Sequence, residues 1–167
     1  KLALLKLSFH ENGFKVLNTK NGAHTIIPFE SDSKKNMKVT IWDDVCNAVQ
    51  VNQDLDDWFS DSINKKVSLV YMPDDEERIV EKTYIDEDHL VSFADAYPYL
   101  IIGQSSLDDL NERLDSAIPM NRFRPNFVFT GGKPYEEDIW KDFVIESAEF
   151  KAVKPCARCV ITTTDQH

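Results

Sequence analysis

Apolar and polar residues alternate with a period of two along much of this chain, the spacing of strands that bury one face. Met37-Lys38-Val39-Thr40-Ile41-Trp42 is the cleanest run, and Val67-Ser68-Leu69-Val70-Tyr71 follows it in part. Phe14-Lys15-Val16-Leu17 and Thr25-Ile26-Ile27-Pro28-Phe29 flank Asn21-Gly22, a dipeptide suited to a hairpin turn. Lys1-Leu2-Ala3-Leu4-Leu5 reads as the middle of a strand. Two stretches change to helical spacing. Asp54 to Ile63 opens with acids suited to a helix N-terminus and places Leu55, Trp58, Phe59 and Ile63 on one face. A second helix is expected after Ser106 as N-cap, with Asp109 three residues on and a core stripe of Leu107, Leu110 and Leu114. Asp74-Asp75-Glu76-Glu77 reads as a solvated loop. The fold class predicted is mainly β with a few short helices, an α+β arrangement.

Chemistry concentrates near the end, in Lys154-Pro155-Cys156-Ala157-Arg158-Cys159, followed by Val160-Ile161-Thr162-Thr163-Thr164-Asp165. A soft thiolate ligand stands beside a guanidinium, a combination suited to a metal-bearing group that also carries phosphate. Three readings of the cysteine pair compete with a fourth, two buried thiols without chemistry. A thioredoxin-type redox pair opens a helix, whereas the residues after Cys159 are β-branched and predict a strand. A structural zinc site needs four nitrogen or sulfur ligands. The only other cysteine is Cys46, and His10, His24, His89 and His167 stand alone. A single-thiolate ligand with a bystander cysteine is the third.

Several segments together resemble a known family. Phe93-Ala94-Asp95-Ala96-Tyr97-Pro98-Tyr99-Leu100-Ile101-Ile102 and Ser106-Leu107-Asp108-Asp109-Leu110-Asn111 are similar to the MOSC domain, the C-terminal domain of molybdenum cofactor sulfurases. So are Arg122-Phe123-Arg124-Pro125-Asn126-Phe127-Val128-Phe129, Tyr135-Glu136-Glu137-Asp138-Ile139-Trp140 and the Cys156 to Asp165 run. The resemblance runs from about Val91 to Asp165 and is nearest to two-part proteins of the mitochondrial amidoxime reducing component type and their bacterial relatives. More weakly, Lys1 to Leu5 and Ile41-Trp42-Asp43-Asp44 resemble the latter part of that family's N-terminal β-barrel. The implied organisation is a partial N-terminal β-barrel-like domain over 1–78, packed with a MOSC-type β-barrel over 79–167 that is truncated at its C-terminal end.

The resemblance implies a molybdenum cofactor, a molybdopterin whose dithiolene sulfurs hold the metal and whose side chain ends in phosphate. Cys159 would be the protein ligand to molybdenum and the catalytic position, since thiolates suit such a metal. Arg158 beside it would favour the thiolate and contact the pterin or its phosphate. Cys156 would be structural. Arg124 maps onto a cofactor-binding arginine. Pro125 biases it toward an extended backbone, and its guanidinium offers a fork for phosphate oxygens, where the residues alone suggest pairing with one of 29 acids. Asp95 maps onto a cofactor-contacting position where a carboxylate accepts pterin N–H groups, and Asn126 would orient that loop. Asp138 and Trp140 read as structural. Ala157 stands where the family often has a hydroxyl.

Two functions follow. One is reduction of hydroxylamines or amidoximes, with electrons from an external [2Fe–2S] ferredoxin-type domain or a cytochrome b5 system. The other is a sulfur-carrier module related to the cofactor sulfurases, bearing a persulfide and working with a pyridoxal-phosphate-dependent partner. Composition narrows the classes without choosing between them. Among 167 residues, 42% are hydrophobic and 11% aromatic, enough for a core. A net charge of −10 lacks the basic footprint of a nucleic-acid binder. No apolar run has the length to span a bilayer, and an odd three cysteines point to a reducing cytoplasm.

Overall fold

Alternating apolar residues need a partner strand on each free edge, and the chain supplies most of them as antiparallel neighbours in sequence. The structure is a computed structural model that describes residues 1–31 and 33–164. It divides into two compact units, one of Lys1–Arg78 and one of Ile79–Gln166. The chain as a whole shows the mainly-β class with short helices.

In the first unit, Leu2–Leu4 form a 3-10 turn rather than the expected strand, which begins one residue later as β1 (Leu5–His10). Strand β1 pairs with β2 (Gly13–Asn18), and β2 pairs with β3 (His24–Pro28), both antiparallel. Gly13 is required where it stands, because a Cβ there would lie 2.0 Å from the Ile27 carbonyl oxygen. The Asn21-Gly22 turn forms as predicted, with Gly22 at φ +75°. Next, β4 (Asn36–Ile41) and β5 (Asp44–Gln50) form a hairpin whose register runs from Asn36↔Val49 to Ile41↔Asp44. Strand β6 is confined to Val70–Tyr71, shorter than the alternation from Val67 suggested, and pairs with the end of β5.

Helix α1 (Gln53–Ile63) is capped by Asn52, whose side chain accepts from the Leu55 N–H at 2.8 Å. Leu55 and Ile63 are buried, with Val16, Cys46, Ala48, Val49 and Val51 around the same core. Trp58 and Phe59 are only half-buried and pack edge to face on each other. Asp56 is buried too, its carboxylate accepting from Leu69 N–H at 2.7 Å and from the Gln50 amide. Within the Asp74–Glu77 run, Glu76 is engaged, accepting from the Asn47 backbone and side-chain amides at 2.7 and 2.6 Å.

The second unit starts with a long irregular segment closed by an Ile79↔Leu90 bridge. Strand β7 (Ile101–Gly103) leads into α2 (Gln104–Asn111) and pairs in parallel with β8 (Phe127–Phe129). The helix begins earlier than predicted. Gly103 is its N-cap, Ser106 lies inside the first turn, and Leu114 falls beyond the end and is exposed. A hairpin of β9 (Asp142–Ile145) and β10 (Ala148–Lys151) follows. Tyr99, Phe127, Phe143 and Phe150 pack ring on ring, with Phe129 and Trp140 extending the cluster. These rings supply apolar contact that the short strands cannot.

After Cys159 the predicted strand is absent, and Val160–Thr163 form a 3-10 turn. The β-branched residues find no strand partner among the described residues. The threonine hydroxyls satisfy local carbonyls instead, Thr162 donating to Cys159 O and Thr163 to Val160 O at 2.7 Å. Asp165, which closed the motif, and His167 lie outside the described residues.

Candidate functional site

The cysteine segment leaves β10 through an Ala152 N–H bond to the Lys141 carbonyl and then runs without regular structure to Cys159. Its shape is set by Arg158. One guanidinium nitrogen, Nη1, donates to Cys156 Sγ at 3.0 Å, and the other, Nη2, donates to the Phe123 carbonyl at 2.7 Å. Arg158 therefore braces Cys156 rather than Cys159, and ties the segment to the backbone just before Arg124. Cys156 and Cys159 are both exposed free thiols. Cys159 occupies the N-cap position of the Val160–Thr163 turn with an extended backbone. That turn packs beside another 3-10 turn, Met120–Arg122, so the Arg122-Phe123-Arg124 stretch and Cys159 belong to one corner of this unit.

Arg124 does not take the extended backbone expected before proline. Its φ is +55°, and its N–H donates to the Asn121 carbonyl at 3.2 Å. The chain is reversing out of the Met120–Arg122 turn and must do so within one residue before Pro125. A left-handed conformation achieves this at a cost that a non-glycine residue rarely accepts. The side chain is exposed.

Asn126 makes a backbone-like pairing with Leu100. Its N–H donates to the Leu100 carbonyl at 2.8 Å and its Oδ1 accepts from Leu100 N–H at 2.9 Å. This lashes the start of β8 to the residue before β7. Asp95 is exposed in the irregular segment. A cleft of about 1560 Å³ is lined by Asp95, Tyr97, Asn126, Lys154, Cys156 and Arg158 among others. Cys159 and Arg124 are not part of its lining. Arg124, Arg158 and Cys159 thus belong to one corner of this unit, while Asp95 and Asn126 line the cleft, which Arg158 also borders.

Zinc does not fit this arrangement. Cys46 is buried in β5 of the other unit, and among the described residues no three His, Cys, Asp or Glu side chains converge on a common point. A group that brings its own sulfur ligands and needs one protein thiolate does fit, because Cys159 presents sulfur to solvent next to a corner carrying two arginines. Sequence reasoning missed three participants. The Phe123 carbonyl and the Tyr84–Tyr97 ring pair facing Lys154 leave no signature, since backbone acceptors and distant aromatics carry no spacing. Glu137 was passed over for its neighbour Asp138, although its carboxylate accepts from Gly103 N–H and the Ser106 hydroxyl, both at 2.9 Å.

Comparison with known proteins adds an independent line. Residues 88–167 match the family model described as MOSC domain. "Mitochondrial amidoxime reducing component 2" of Bos taurus is 40% identical over 81 residues, which cover 48% of this chain and 24% of that protein. The Homo sapiens protein of the same name is 43% identical over 81 residues, covering 48% and 24%. "Mitochondrial amidoxime-reducing component 1" of Danio rerio is 37% identical over 105 residues, covering 61% and 32%. The matched region thus spans about a quarter to a third of the length of these relatives. Among the described residues no helix is long and apolar enough to cross a membrane.

Proposed function

We propose, from a chain whose residues 88–167 match the MOSC domain family model, that this polypeptide is part of a molybdenum-cofactor oxidoreductase acting on N-hydroxylated compounds. The observation that carries the reading is Cys159, an exposed thiol at the corner where Arg158 is bonded to the Phe123 carbonyl. The relatives' names supply amidoximes as a substrate class, and the family resemblance extends it to hydroxylamines. When bound, the cofactor supplies a two-electron centre for taking oxygen from an N–O bond. Overall, the N–O compound, two electrons and two protons give the amine or amidine and water.

The chain's own residues prepare that site. Cys159 offers the ligating sulfur, held at the head of a hydrogen-bonded turn. Arg158 fixes the loop that carries it. Arg124 projects a guanidinium at the same corner, where its fork matches phosphate oxygens. Asp95 would accept pterin N–H groups at the cleft, and Asn126 holds the start of β8 against Leu100. Electrons arrive from outside, from a [2Fe–2S] ferredoxin-type domain or a cytochrome b5 system, in a reducing compartment taken as the cytoplasm. Unit Lys1–Arg78 is read as part of the family's N-terminal β-barrel and the second unit as a MOSC domain.

The test uses the full-length protein from a host that makes molybdenum cofactor, assayed with a chemical reductant and benzamidoxime. Cys159→Ala loses the reaction, while Cys156→Ala retains it and loses stability instead. Wild-type turnover by the Cys159 variant overturns the assignment. Arg124→Ala lowers cofactor retention about tenfold to a hundredfold, the effect of one lost charge-assisted hydrogen bond. An unchanged pterin-to-protein ratio after dialysis returns Arg124 to a surface role. One observation favours a second reading, the Arg158 guanidinium on Cys156 Sγ, which would support an anionic sulfur such as a persulfide. Persulfide transfer from Cys156 with a pyridoxal-phosphate-dependent partner, without N–O reduction, is its signature.

A further inference from the structure

The residue two places before Cys156 is engaged, as is the one two places after it. Lys154 Nζ lies 4.8 Å from the centre of the Tyr84 ring and 5.7 Å from that of Tyr97, both within reach of a cation–π attraction. The two rings meet edge to face at 6.4 Å. Tyr97 is anchored in turn, its hydroxyl donating to the Glu81 carbonyl at 3.0 Å. A second tie joins the same region to β10, where Lys151 stands 3.5 Å from Glu87. In a chain with 29 acidic residues, Lys154 settles on two aromatic faces.

We propose that Lys154 is a positioning residue for the cysteine loop, its ammonium held against Tyr84 and Tyr97 so that the chain enters Pro155-Cys156 at a fixed place. Pro155 has a locked φ, so the direction set at Lys154 passes to Cys156 with little slack. Arg158 secures the far side through the Phe123 carbonyl. Cys156 lies between the two anchors, and Cys159 follows the second. A loop tethered at both ends fixes Cys156 and sets the direction in which the chain leaves toward the ligating Cys159, without a disulfide or a regular strand. Tyr97, Lys154, Cys156 and Arg158 line one cleft, and Cys159, the proposed ligand, follows Arg158 directly in the chain. The inference rests on that reading for its catalytic consequence, but not for the clamp itself.

The experiment separates the two. In full-length protein, hydrogen exchange is followed by mass spectrometry over peptides spanning 152–159, a measurement that requires no turnover. Lys154→Met keeps the stem and removes the charge. It raises exchange there about two- to fivefold, the range for an exposed cation–π contact, leaves α2 peptides unchanged, and is reversed by Lys154→Arg. Tyr84→Leu produces the same rise, and the double variant adds little to either single change. In the reduction assay Lys154→Met lowers kcat by a similar factor with KM unaltered, and Lys154→Arg restores it. Unaltered exchange over 152–159 in Lys154→Met, or additive effects with Tyr84→Leu, overturns the clamp. Altered exchange with unaltered kcat overturns the positioning role, while full activity in Cys159→Ala overturns the underlying functional reading instead.

Discussion

Arg124 shows how a single residue departs from its local rule at the candidate site. A residue before proline favours extended backbone, yet Arg124 has φ +55°, a conformation costing about 1–2 kcal/mol for an L-residue. Glycine there would relieve the strain, offset by about 0.5–1 kcal/mol of extra chain entropy. Arg124→Gly should therefore raise stability by up to about 1.5 kcal/mol in urea denaturation while cofactor retention falls. A loss of stability would show that the guanidinium is bracing the fold. At this scale the sequence displayed the chemistry but not the partners. Cys156, Arg158 and Cys159 were visible as a motif. That Arg158 would reach Cys156 and the Phe123 carbonyl, 35 residues away, was not, because a backbone acceptor looks the same at every position.

Elements were legible where period and capping agreed. The β2–β3 hairpin, β4 and α1 follow from alternation, Asn-Gly and helical spacing. The run after Cys159 did not, because β propensity expresses fit to a neighbouring strand more than a backbone preference. Helix α2 was found with the wrong start, since its first turn is served from a distance. Glu137 accepts from Gly103 N–H and Ser106 Oγ, and Ser106 Oγ accepts from Tyr135 N–H at 2.8 Å. Glu137→Ala leaves those donors unmatched and should cost about 1–3 kcal/mol in urea, with Glu137→Gln milder. Equal stability of Glu137→Ala and wild type would remove Glu137 as the cap. In α1, burial raises the pKa of Asp56, but hydrogen bonds from Leu69 N–H, Gln50 and Ser68 and the charge of Lys35 outweigh it, leaving the pKa below the ordinary aspartate range. The unfolded chain then binds the proton more readily, so stability from this group is present above about pH 3.9 and lost as pH falls through the folded value. Asp56→Asn should remove that part of the acid dependence of the urea midpoint. An unchanged acid limb would place the dependence elsewhere.

At the scale of the molecule, the two units carry different burdens. Lys1–Arg78 has the conventional aliphatic core around Val16, Ala48 and Leu55, whereas the second unit relies on an aromatic cluster and on loops pinned by Asn126, Lys154 and Arg158. The family likeness was readable because the second unit's side chains recur at matching positions. The three-dimensional corner was not, because it joins Phe123 to Arg158 through space. That corner holds the central claim, a single protein sulfur supplied by Cys159 to a molybdenum cofactor. X-ray absorption at the molybdenum edge of the full-length protein measures this directly, comparing wild type with Cys159→Ser and Cys156→Ser. The account predicts one fewer sulfur neighbour in Cys159→Ser and an unchanged count in Cys156→Ser. Loss of a sulfur neighbour in Cys156→Ser, or an unchanged count in Cys159→Ser with metal retained, would contradict it.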